Sequence, residues 1–137
     1  MKADVLLIVL CAGIAGCAVQ DSKGDRIETP FAAAGDVERG RAVFVSRDGG
    51  HCVLCHSAPG AAQAGNIGPA MAGVGTRLTG AQIRLRVADI TQVNAQAVMP
   101  AFHRTEGLSR VAPAHAGQTI LSGQQVEDVV AWLSTLR

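Results

Sequence analysis

His51-Cys52-Val53-Leu54-Cys55-His56 decides how the rest of this 137-residue chain is read. It contains C-x-x-C-H, the spacing at which two thiols become joined to one haem. Two intervening residues place Cys52 and Cys55 about one helical turn apart, within reach of both vinyl groups of a single porphyrin. Addition of each thiol across a vinyl gives a thioether, and His56, next in sequence, is carried beneath the ring with an imidazole nitrogen toward the iron. Other chemistries fit the pair less well. A structural zinc site usually needs four Cys or His ligands, and no second C-x-x-C exists in the chain. A thiol–disulfide exchange motif belongs with a βαβ pattern that the sequence lacks. A Cys52–Cys55 disulfide would close too short a loop to stabilise much.

Toward the N-terminus, Lys2 precedes an apolar run from Val5 to Ile14 that is too short to span a bilayer, the layout of a secretory leader. Ile14-Ala15-Gly16-Cys17 resembles a bacterial lipobox, so residues 1–16 read as the signal peptide. Two endings stay open: a lipidated Cys17 as first mature residue, which would tether the protein to the membrane, or ordinary cleavage near Ala18. Both export the chain to the periplasm. Residues 17–34 carry Asp21, Lys23, Asp25, Arg26 and Glu28, a break at Pro30 and no hydrophobic period. They read as a flexible tether, with the folded domain filling residues 35–137.

Toward the C-terminus the periodicity is helical. Asp36 can cap a helix from Val37 to about Ser46 that places Val37, Gly40, Arg41 and Phe44 on one face. Gly40 weakens that helix but lets another backbone come close. Thr79 with Gln82 and Ser122 with Gln125 make two capping boxes. The first opens a stripe of Ile83, Val87 and Ile90, the second a stripe of Val126, Val129, Val130, Leu133 and Leu136. Residues 58–75 are too rich in Gly, Ala and Pro to stay regular, and 91–121 read mostly as loop. No alternating run stands out, so the fold class is all-α.

Apolar residues make up 48% of the chain and aromatic ones only 3%, enough for a small core. A domain of roughly 100 residues buries a modest share of its surface, so a bound cofactor would help to hold it. Twelve Lys and Arg against eleven Asp and Glu leave a net charge of +1, which excludes a nucleic-acid binder reliant on a strong basic field. Five arginines (Arg77, Arg84, Arg86, Arg104, Arg110) against Asp89 and Glu106 give a local +3, either a cationic docking face or a solvated helix face. Candidates for a sixth iron ligand are Met71, Met99, His51, His103 and His115. Met71 lies 15 residues and Met99 43 residues beyond His56, and reach alone does not choose between them.

Gly35-Asp36, Gly40 and Phe44, then the haem motif, Gly68-Pro69-Ala70-Met71, Met99-Pro100 and Trp132-Leu133 together resemble a class I cytochrome c. The resemblance implies three to five helices with long loops around one covalently bound haem c. It implies His56 and Met99 as the iron ligands, Met71 as apolar packing, and a Pro69 carbonyl that accepts a hydrogen bond from the proximal imidazole.

Residues 66–137 resemble the SoxX subunits of the periplasmic thiosulfate-oxidising system more closely. The likeness is carried by Asn66-Ile67-Gly68-Pro69, Gly73-Val74-Gly75, Gln82 to Val87, Met99 to Phe102, Gly107 to Pro113 and Val126 to Leu133. It implies a heterodimer with a larger haem subunit, SoxA, where thiosulfate is joined to a cysteine of a carrier protein. This chain would take the electrons released and hand them to a soluble acceptor, with no catalytic centre of its own beyond one-electron transfer. A general periplasmic cytochrome shuttling to an oxidase or reductase would share every haem residue and differ only in its partner. An enzyme with an open iron, such as a peroxidase, requires that Met99 be no ligand.

Overall fold

The computed structural model describes residues 24–62 and 65–137; the leader 1–16 and Cys17 lie outside the described residues. Among the described residues four α-helices are joined by long loops: α1 (Val37–Val45), α2 (Val74–Arg77), α3 (Gly80–Asp89) and α4 (Gly123–Thr135). Short 3-10 turns at Cys52–Leu54, Ile90–Gln92 and Pro113–His115 punctuate the loops, and no strand occurs among the described residues. The short helix α2 was hidden in the glycine-rich stretch.

The helix starts follow from their caps. Asp36 accepts from the Arg39 N–H, and both capping boxes form in full, Thr79 with Gln82 and Ser122 with Gln125. Each satisfies donors that a helix N-terminus leaves unpaired. α1 crosses α4 at Gly40, where a Cβ would collide with the Asp128 carbonyl. Beside that contact Phe44 and Trp132 pack at 4.7 Å between ring centroids, tilted by 57°. Of the four residues expected on the inner face of α1, only Gly40 and Phe44 are buried. The core adds Ile83 and Val87 from α3, Leu121, and Val126, Val129, Val130 and Leu133 from α4.

Residues 24–34 are not the flexible tether that their mixed composition implies. They lie as a strap along α3 and α4, so the ordered framework begins well before Gly35. Asp25 accepts from Gln82 Nε2 at 2.7 Å, Ile27 N–H donates to the Ala81 carbonyl, and Phe31 N–H donates to Glu127. The Phe31 ring rests on His103 with centroids 4.4 Å apart.

The five arginines do not form one cationic or solvated face either. Arg84 is buried and makes a two-pronged pair with Glu127 at 2.8 Å on each arm, while its Nη1 donates to the Ile27 carbonyl of the strap. Arg104 pairs with Asp89 at 2.9 Å, and Arg77 donates to the Ala70 and Ala72 carbonyls. Burial alone would raise the carboxyl of Glu127, yet the hydrogen bonds from Arg84 and Phe31 N–H and the Arg84 charge hold it below its ordinary value.

Candidate haem-binding site

The C-x-x-C-H segment begins at a bend. His51 adopts the left-handed conformation (φ 45°), and Cys52–Leu54 then wind into a 3-10 turn. Cys55 and His56 N–H groups both donate to the Cys52 carbonyl, at 3.1 and 2.9 Å, which closes the turn that carries the two sulfurs. Val53 points into the core and anchors it. Gly50 is needed beside the first sulfur, since a Cβ there would lie 2.8 Å from Cys52 Sγ.

The loop that follows is tied to this turn by its backbone. Gly65 N–H donates to Val53, Gly68 to Cys55 and Met71 to Ser57. These bonds bring the Pro69 carbonyl to 2.7 Å from His56 Nδ1. A carbonyl can only accept, so Nδ1 donates the proton, and Nε2 is the ring nitrogen left to bind a metal. The His56 ring lies flat against Gly68: a Cβ there would sit 2.6 Å from Nδ1 and 2.8 Å from Nε2. Gly68 was legible only as part of a resemblance; its steric reason is this imidazole.

Two cavities meet at Cys52, His56, Met99 and Phe102. The inner one, of about 100 Å³, is walled by apolar side chains of α2, α3 and α4 together with Met71. The outer groove, of about 650 Å³, runs past Cys55 and Pro69 to the loop at Asn94–Pro100. That volume lies within the roughly 300–1,000 Å³ of cofactor sites. The sixth-ligand candidates separate here. Met99 lines both cavities, Met71 only the inner one and His51 only the outer. His103 lines neither; its Nδ1–H donates to the Leu121 carbonyl at 2.8 Å. His115 lines neither as well and stands exposed on a 3-10 turn.

The residues present suit a haem. An apolar crevice holds two thiols one turn apart, an imidazole whose Nδ1 is engaged by the Pro69 carbonyl so that Nε2 is left for a metal, and a thioether in the wall. They do not suit disulfide exchange, because burial pushes the free Cys52 thiol up to about 12, where it stays protonated at neutral pH. An exchange motif instead needs its attacking thiol lowered. Among the described residues no three His, Cys, Asp or Glu side chains gather into a metal-binding group.

An all-α chain folded around such a crevice defines a class, the electron-transfer proteins with covalently attached haem. The chain belongs to the cytochrome c family, whose sequence model matches residues 37–137. It is an electron-transfer cytochrome carrying haem c. Among solved structures it is similar to a chain in the crystal structure of SoxXA from P. pantotrophus, with 34% identity and a TM-score of 0.74. The match covers 82% of this chain and 90% of the other. No curated protein sequence matches it.

Proposed function

We propose that this chain is the monohaem electron-transfer subunit of a periplasmic thiosulfate-oxidising complex. In this reading it pairs with a larger, SoxA-like haem subunit and accepts the electrons released when thiosulfate is joined to a carrier-protein cysteine. The observation that carries the reading is the similarity to a SoxXA chain over most of both lengths, 82% and 90%.

The residues divide the work as follows. Cys52 and Cys55 hold the haem through thioethers, and His56 binds from the proximal side, oriented by the Pro69 carbonyl. Met99 supplies the opposite ligand; its place in both cavities supports this choice over Met71. Bound there, the haem supplies a one-electron couple. A thioether is a soft donor that favours the ferrous form and so raises the potential, as suits an acceptor. With His56 and Met99 both engaged, no position remains for a substrate, and with both thiols consumed no nucleophile remains at the motif. Export by the leader delivers the chain to the oxidising compartment, and intact mass of the exported form distinguishes an acylated Cys17 from cleavage near Ala18.

The test is reconstitution. The haem-loaded chain, a SoxA-like subunit and the carrier protein are mixed with thiosulfate, and the absorption of this chain's haem is followed. Reduction that requires all three partners, together with co-purification of the two haem subunits, is the expected result. Failure to associate, with reduction by any low-potential donor alone, would leave a general cytochrome shuttle.

A further inference from the structure

We infer that Phe31 and His103 are positioning residues for the axial sulfur: the N-terminal strap clamps the far end of the segment that carries Met99, and so sets how easily the sixth position of the iron opens. This rests on Met99 as the second iron ligand and not on the thiosulfate reading. The segment has little of its own to hold it. Residues 98–101 make no hydrogen bond among the described residues, Val98 is 84% exposed, and Pro100 is exposed as well. A stretch of that kind is where local opening begins.

What fixes the segment lies just beyond Met99. Ala101 and Phe102 are buried, and three hydrogen bonds gather at the next residues. His103 N–H donates to the Ala88 carbonyl near the end of α3 at 3.0 Å, and His103 Nδ1–H donates to the Leu121 carbonyl at 2.8 Å. Leu121, itself fully buried, returns a bond from its N–H to the Phe102 carbonyl at 2.9 Å. The Arg104–Asp89 pair adds a tie one residue on. From there residues 105–118 are all exposed, so the knot at His103 is also the neck of an open loop.

The strap bears directly on this knot. The Phe31 ring packs on the His103 ring at 4.4 Å between centroids, tilted by 48°. A ring packed there limits how the imidazole can turn and keeps Nδ1 on the Leu121 carbonyl. Phe31 is itself held: its N–H donates to Glu127 Oε1 at 3.0 Å, and its Cβ lies 3.0 Å from where a Cβ on Gly123 would stand. Glu127 is locked in turn by Arg84. A line of contacts therefore runs from the buried ion pair through Phe31 and His103 to the end of the Met99 segment.

The test uses free imidazole on the ferric, haem-loaded full chain, well below its melting temperature. Imidazole can replace the Met99 sulfur only when the segment lifts, and its uptake is read by loss of the His/Met charge-transfer band. F31A should bind imidazole on the order of fivefold more tightly, the worth of one aromatic pair in the opening equilibrium. H103A loses the ring contact and the Leu121 bond together and should bind it on the order of twenty-fivefold more tightly. H103N, which keeps a donor close to the place of Nδ1, should recover part of that difference. Imidazole affinity in F31A equal to that of the parent overturns the proposal. Should H103A fail to accumulate with haem, F31A still decides, because its ring is partly exposed and its loss opens no buried cavity. A purely structural role for the two residues would lower the melting temperature and leave the imidazole affinity where it was. A parent protein that lacks the band altogether would unseat Met99 as ligand, and this proposal with it.

Discussion

Replacing Gly68 by Ala sets two effects of opposite sign against each other. The Gly68 backbone lies outside the left-handed region, so Ala is sterically allowed there and would restrict the unfolded chain, a gain of about 0.4–1 kcal/mol. Against this, the new methyl would lie 2.6 Å from His56 Nδ1 and 2.8 Å from Nε2, and the ring has to give way. Forcing an extra carbon into packed structure costs about 1–3 kcal/mol. Moving the ring also strains its 2.7 Å bond to the Pro69 carbonyl, which is worth about 0.5–1.5 kcal/mol. The balance is a loss of about 1–3 kcal/mol, or a melting temperature lower by roughly 4–12 °C in a domain near 100 residues. Gly24→Ala is the control, because nothing lies within 4 Å of a Cβ built there; it should be neutral or slightly stabilising. Thermal unfolding of the haem-loaded proteins by far-ultraviolet circular dichroism measures both. A Gly68→Ala protein that melts at or above the parent would refute the view that this glycine exists to seat the imidazole.

Glu127→Ala leaves Arg84 buried without its carboxylate and should cost about 3–5 kcal/mol in urea unfolding, since breaking a buried pair costs more than the pair contributes. Acid should act in the same direction. The hydrogen bond from Arg39 is the largest influence on Asp128 and lowers it; for Asp89 and Glu127 burial acts upward, but their hydrogen bonds and cations win and lower them too. Stability from these three groups is therefore complete above the ordinary carboxylate value of about 4 and is lost as pH falls through their depressed folded values. Melting temperature should hold near neutrality and fall steeply only in acid. Met99→Ala should abolish the weak long-wavelength charge-transfer band of a His/Met ferric haem, whereas Met71→Leu, which conserves volume, should keep it; the reverse pattern would reassign the axial sulfur to Met71.

What the sequence revealed was what neighbouring residues settle among themselves. The C-x-x-C-H turn and both capping boxes span four or five residues, and their geometry follows from spacing alone. The stripe of α4 was equally legible, because its apolar side chains repeat with the helix. The strap was not, since its stability comes from partners far along the chain: Ile27 is 57 residues from Arg84, and Phe31 is 96 from Glu127. A segment without a period of its own gives no local sign that it will be held. The buried pair gave no such sign either: Arg84 and Glu127 each stand one residue past a stripe position, after Ile83 and Val126, and only the fold brings them together. Among the candidate haem residues, Cys52, Cys55 and His56 stand out by their motif, whereas spacing left Met99 and Met71 open and the resemblance to class I cytochromes c alone favoured Met99; in the structure Met99 borders both cavities and Met71 only the inner one.

The strap also determines how the domain would bear a mechanical load. Any pull applied at residue 24 runs first into Asp25, Ile27 and their bonds to Gln82, Ala81 and Arg84. Those bonds lie on α3, and behind them stands the ion pair to α4. Tension would thus be shared between two helices before it reached the turn at Cys52–His56, leaving that turn shielded from a load on the strap.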